Sequence, residues 1–158
     1  MELRPPTPDE FPALLRLNND HAVELAPETA EDFARLISVA WRVRVADDAA
    51  ALCIVFDQDS DHASQNIDWF REHYERFVYV DRVVVAPGAR GRGLARRLYT
   101  DVMDVARRQD YPVLCAEINL DPPNPASDAF HAAMGFVPVG TARLDGRDKT
   151  VRYHVRKL

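Results

Sequence analysis

The chain has 158 residues, a net charge of −5 and two cysteines, with 47% hydrophobic and 28% charged residues. That is enough chain for one buried core, and the balance excludes disorder and gives little support for nucleic-acid binding. The opening Met1-Glu2-Leu3-Arg4-Pro5-Pro6 has no apolar signal core and no run approaches a bilayer span, so a single cytoplasmic domain over 1–158, off the membrane, is expected.

In chain order, apolar spacing predicts a helix from Pro8 to Leu25 with Thr7 or Asp9 as its cap. A second runs from Thr29 to Val39, where Thr29 and Asp32 are spaced as a capping box. Strands follow at Trp41 to Ala46 and Ala50 to Phe56, joined by a turn at Asp47-Asp48. Asp57 to Arg76 reads as a loop and a short helix, the place for substrate-side variation. Phe77 to Ala86 is a central strand on which simple alternation puts Tyr79, Asp81, Val83 and Val85 on one face. A helix then carries Leu94, Leu98, Val102 and Val105 or Ala106 on one side, and Val113 to Leu120 is the partner strand. A short helix is expected from Ala126 to Met134, stopped by Gly135 as a left-handed cap, before strands at Phe136 to Leu144 and Thr150 to Val155. Cys53 and Cys115 lie inside apolar runs, as buried reduced thiols do, and neither a disulfide nor a metal site is expected.

Between the central strand and the long helix, the run from Pro87 to Arg96 carries the chemistry. Small residues at 91, 93 and 95 let backbone approach a ligand, and the starting helix turns unpaired N–H groups toward an anion such as a pyrophosphate. Gly88 and Gly93 have P-loop separation, but Leu94-Ala95 stands where a Walker loop needs Lys followed by Ser or Thr. A Rossmann third glycine would fall on Arg96, and the chain is too short for the paired halves of that fold. Arginines 82, 90, 92, 96, 97, 107 and 108 surround the loop, while acids collect at Glu24, Glu28, Glu31, Asp32, Asp57, Asp59 and Asp61. One group suits an anionic cofactor and the other a cationic amine.

The run Arg90-Gly91-Arg92-Gly93-Leu94-Ala95 matches R/Q-x-x-G-x-G/A. With Asn124, Ser127, Gly135 and Phe136 in the order N-x-x-A/S…G-F, residues 77 to 144 resemble the GNAT N-acetyltransferase superfamily. The resemblance implies an α/β fold of the α+β sandwich kind, a mixed and mostly antiparallel sheet with a central splayed strand pair flanked by helices. It implies acetyl-CoA (coenzyme A) as co-substrate, with pantetheine along Val83, Val84 and Val85. The pyrophosphate would rest on Arg90, Gly91, Arg92, Gly93, Leu94, Ala95 and Arg96, with further contacts at Asn124 and Ser127.

Acetyl transfer to an amine needs a base for the nitrogen and an acid near the departing thiolate. Glu117, within Glu117-Ile118-Asn119, matches the place where ribosomal-protein alanine acetyltransferases, a GNAT branch, carry a catalytic glutamate. Asp81 on the central strand is the rival base, and a structural hydrogen bond or salt bridge is open to either. Four residues before Gly135, where the superfamily has a tyrosine, stands His131. Its reference pKa of about 6.5 suits an acid, and a surface histidine is the other reading. The expected activity is direct transfer to an amine of a small molecule or a peptide or protein terminus, without a metal, and a homodimer is left open. The alternative is a non-catalytic acyl-CoA-binding or sensing module.

Overall fold

The computed structural model of the chain describes residues 2–21 and 27–158. Helices α1 (Phe11–Asn19) and α2 (Ala30–Val39) precede strands β1 (Arg42–Ala46) and β2 (Ala51–Asp57), then α3 (Gln65–His73) and β3 (Val78–Val85). After them come α4 (Leu94–Arg108), β4 (Val113–Asp121), α5 (Pro125–Ala133), β5 (Val137–Arg143) and β6 (Thr150–Lys157). The strands form one sheet in the order β1-β2-β3-β4-β6-β5, antiparallel except for the parallel pair β3 and β4. This is the expected mixed, mostly antiparallel architecture. Among the described residues no helix is long and apolar enough to cross a membrane.

Local chemistry sets the boundaries. Thr29 Oγ1 accepts the Asp32 amide at 3.1 Å and Ser64 Oγ that of Ile67 at 3.3 Å, each replacing a carbonyl that a helix start lacks. The first helix is shorter than the expected Pro8 to Leu25: Pro8–Glu10 is a 3-10 turn and α1 ends at Asn19. The Asn19 side chain accepts the Glu28 amide at 2.9 Å and donates to its carbonyl at 3.0 Å, which pins the α1 exit against the approach to α2. Residues 22–26, with the expected helix end at Leu25 and the acid Glu24, lie outside the described residues. The β1–β2 connection is a 3-10 turn, Asp47–Ala49, in which Asp48 and Ala49 both have positive φ, rather than a two-residue hairpin.

Two apolar layers enclose the sheet. On one face α1, α2 and α3 cover Leu52, Ile54, Phe56, Tyr79, Val84 and Tyr153; on the other, α4 covers Cys53, Val55, Val78, Val80 and Leu114. Helix α4 presents Leu94, Leu98, Val102 and Ala106 at helical spacing, all buried, and a bidentate Arg42–Asp101 pair at 2.8 and 2.9 Å ties it to β1.

The central strand departs from simple alternation. Ile54 pairs with Arg82 and Val55 with Val80, so Asp81 is an extra residue in β3, a bulge. After it the alternation restarts, and Val83 and Val85 face α4 with Val78 and Val80, opposite to Tyr79 and Val84. The expected common face for Tyr79, Asp81, Val83 and Val85 does not hold, because counting by twos assumes an uninterrupted ladder. Buried Arg82 braces the bulge by donating to Asp81 Oδ2 at 2.7 Å, Asn18 Oδ1 at 3.0 Å and Glu28 Oε1 at 3.3 Å. An inward guanidinium without such acceptors would be strongly destabilising.

Candidate functional site

Strands β3 and β4 pair only at Val78–Leu114 and Tyr79–Cys115; past that point β4 stays with β6 while β3 stays with β2. The wedge between them opens into a cleft of about 640 Å³. Asp81, Val83, Val84 and Val85 line it from β3 and Glu117 and Asn119 from β4, with Arg90, Ala95, Tyr99, Asn124, Ser127 and His131 further along. Among the described residues the β4-facing edge of β3 has no strand partner past Tyr79, so its amides and carbonyls are available to a ligand that carries amides of its own.

The loop meets the cleft at Arg90 and Ala95. Gly91 and Gly93 have φ of +81° and +71°, and a Cβ added to either would meet nothing within 4 Å. Glycine is therefore required here by backbone conformation and not by packing. The Arg97 amide is used on the Gly93 carbonyl at 3.0 Å, whereas among the described residues the amides from Gly91 to Arg96 reach no backbone carbonyl. Open amides at a helix start, beside arginines, form an anion site. The Leu94 side chain is buried under α4, so only its amide can serve; Gly91, Arg92, Gly93 and Arg96 are exposed. Arg90 is held by His21, Nη2 to Nε2 at 3.1 Å. Asn124 Oδ1 accepts the Ser127 amide at 3.2 Å and so caps α5 at the cleft wall.

Glu117 sits at the centre of a hydrogen-bonded chain. Its Oε2 accepts the Tyr79 hydroxyl at 2.7 Å and its Oε1 the Asn66 amide at 3.2 Å, while Asn66 accepts the Tyr153 hydroxyl at 2.9 Å. Burial pushes the Glu117 carboxyl up to about 8, and the charge of Asp81 adds to this while the Tyr79 bond opposes it. A carboxyl so placed exchanges a proton near neutral pH, as a general base must. Asp81 is bound differently: Arg82 holds Oδ2, and Oδ1 lies 3.7 Å from Nε2 of His62, whose ring stacks on Phe56. Replacing Tyr79 with phenylalanine removes a donor that favours the carboxylate. The Glu117 pKa is then expected to rise by about one unit or more, read by carboxyl 13C titration; an unmoved titration would contradict the coupling.

His131 lies among the α4-side residues and is buried, not a surface histidine. Its Nδ1 meets the Ser127 carbonyl at 2.8 Å and its Nε2 the Tyr99 hydroxyl at 2.7 Å. A nitrogen on a carbonyl must donate, so Nδ1 carries a proton; burial lowers the ring's pKa and favours the neutral imidazole, in which Nε2 accepts from Tyr99. Both ring nitrogens are engaged, and Tyr99, which also lines the cleft, occupies the one a sulfur would need. Sequence spacing misses Tyr99, Asn66 and Tyr153, and it misplaces Arg82, which it groups with the loop arginines but which is buried and spent on Asp81, Asn18 and Glu28. Only Tyr99 carries a local signal, since a phenol on the apolar side of a helix needs a polar partner.

Residues 26–136 match the family model described as acetyltransferase (GNAT) family. Over 65 residues the chain is 43% identical to phosphinothricin N-acetyltransferase of Streptomyces coelicolor, a match that spans 41% of this chain and 37% of that relative. The structure of ribosomal-protein-alanine N-acetyltransferase from Brucella melitensis is similar over 100% of both chains, with a TM-score of 0.73 and 26% identity. The fold is also that of yncA from Salmonella typhimurium, solved with its cofactor acetyl-CoA: TM-score 0.71, 22% identity, 99% of this chain and 93% of that one. With the family model spanning most of the chain, including the splayed strands and the loop between β3 and α4, this protein belongs to the GNAT acetyltransferase family.

Proposed function

We propose that the protein transfers the acetyl group of acetyl-CoA directly to the nitrogen of an amine. The observation that carries this reading is a cleft through the sheet, with an anion-binding loop at one end and Glu117 and the Tyr99–His131 pair on its two sides. The acetyl-CoA in yncA and the N-acetyltransferase activities that name the two relatives above support the donor and the bond formed.

Pantetheine pairs with the free edge of β3 at Val83 and Val85, and the pyrophosphate rests on the amides of Gly91 to Arg96, drawn in by Arg90, Arg92 and Arg96. The amine enters from the α3 side. As its nitrogen attacks the thioester carbonyl, Glu117 takes the proton; the tetrahedral oxyanion then collapses and the C–S bond breaks. His131 holds the Tyr99 hydroxyl at the cleft wall; as the sulfur leaves, the single Tyr99 proton passes from its bond with Nε2 to the thiolate, and the phenolate regains a proton from solvent. Glu117 is the base rather than Asp81, because Arg82 already holds Asp81 in an ion pair, where its charge draws in an ammonium group. The buried thiols take no part: burial pushes Cys53 up to about 12 and Cys115 well above its ordinary value, which leaves no thiolate for a covalent acetyl-enzyme.

The test is thiol release from acetyl-CoA across a panel of amines. In the same assay His131→Phe, which keeps a ring but removes the acceptor for Tyr99, should lower kcat about ten- to a hundredfold with little change in the KM for acetyl-CoA. Tyr99→Phe should do the same, and the double variant should lose no more than either single one. Additive losses would show that the two side chains act independently.

A further inference from the structure

The α3 side of the cleft carries an exposed cation, Arg147, on the turn between β5 and β6. The β5–β6 turn closes with the Leu144 amide on the Lys149 carbonyl at 2.8 Å. Gln65, at the start of α3, clasps this turn by donating to the Arg143 carbonyl at 2.9 Å and accepting the Asp145 amide at 2.8 Å. Of the two arginines here, Arg143 is paired with Asp148 at 2.5 Å. Arg147 makes no ion pair or side-chain hydrogen bond among the described residues, and it lines the cleft. Ser64, beside Gln65, lines the cleft too; its Oγ accepts the Ile67 amide, which leaves its O–H free to donate.

We infer that Arg147 and Ser64 form a subsite for an acid group, and that the acceptor is an amine bearing one, of the α-amino-acid type. The inference rests on the acetyl-transfer reading of the cleft and names its substrate class. Such a molecule matches the two ends of the wall: its ammonium faces Asp81 and Glu117, and its acid oxygens accept from the guanidinium and the hydroxyl. A plain amine leaves Arg147 unused, and so does a peptide N-terminus, whose adjacent carboxyl is an amide. A carboxylate and a phosphonate offer the same acceptor oxygens.

The test is kcat/KM with acetyl-CoA for matched sets built on methionine, phenylalanine and glutamate. Each set holds the free amino acid, its α-aminophosphonate, its amide, the decarboxylated amine and a tripeptide beginning with that residue. In at least one set the acid-bearing members should exceed the amide, the amine and the tripeptide by about ten- to a hundredfold, the worth of one or two charge-assisted hydrogen bonds. The aminophosphonate arm shows whether carboxylate or any acid oxygen is read. Arg147→Ala should bring the ratio of acid to amide within about threefold of unity, and Arg147→Lys should keep part of it, since lysine retains the charge without the fork. Equal rates for acid and amide, faster tripeptides, no turnover of any acid-bearing amine, or a preference untouched in Arg147→Ala would each overturn the subsite. The family reading falls separately, if acetyl-CoA itself does not bind.

Discussion

Replacing Glu117 with glutamine is expected to lower kcat by about a hundred- to ten-thousandfold, the range for loss of a general base, while acetyl-CoA binds as before. Glutamine preserves the shape and can still bond Asn66 and Tyr79, but it cannot take a proton. In the parent enzyme the active form is the carboxylate, so kcat should climb as pH rises through about 8, the value to which burial pushes Glu117. In the variant that limb should vanish. Stability moves the opposite way. A carboxyl whose folded pKa is raised from 4.5 to about 8 holds its proton more tightly folded than unfolded. The stability this confers is therefore complete below the unfolded value and lost as pH rises through the folded one. The loss amounts to at most about 1.4 kcal/mol per pH unit across that window. Glu117→Gln, which has no charge to bury, should be more stable than the parent at pH 9, by chemical denaturation, while being far less active. A variant with parental kcat, or one destabilised equally at every pH, would place the base elsewhere.

Changing Gly93 to aspartate should weaken acetyl-CoA binding by about a hundredfold or more, since it sets a carboxylate against several charge-assisted phosphate contacts. Two effects combine and can be separated. Gly93 has φ of +71°, so any side chain strains the backbone there. Gly93→Ala measures that strain, about 1 to 2 kcal/mol in stability, with no added charge, and no neighbour lies within 4 Å of the new Cβ to clash with it. The difference between the two variants in calorimetric affinity is the electrostatic part, and it should shrink as salt is raised. Aspartate and alanine variants that bind acetyl-CoA equally would move the pyrophosphate away from the loop.

Much of this site was legible because its logic is local. The β-branched run, the spaced glycines and the apolar side of the next helix specify strand, loop and helix without reference to the rest of the chain, and Asn124 with Ser127 specifies a helix start. What was not legible depends on pairing. The bulge at Asp81 comes from the register of β2 on β3, and it reverses the facing of Val83 and Val85 relative to Tyr79. No spacing rule in one strand contains that information. The bonds from Asn66 and Tyr79 to Glu117 join three elements, so a glutamate that reads as one of two carboxylates becomes the one whose proton affinity burial sets. His131 was visible as a departure from the family tyrosine, but the Tyr99 hydroxyl on its Nε2 depends on how α5 packs against α4. The end of α1 at Asn19 was missed for a similar reason, since apolar spacing carries no record of the Asn19 bonds to Glu28.

The most direct measurement is transfer of an isotope. With acetyl-CoA carrying 13C in its acetyl group and the amine panel above, mass spectrometry should show the labelled acetyl on an acceptor nitrogen and one free CoA for each product, with none on the protein. Saturable acetyl-CoA binding without label on any amine would be the behaviour of a sensing module, and label trapped on Cys53 or Cys115 would replace direct transfer with a covalent enzyme intermediate.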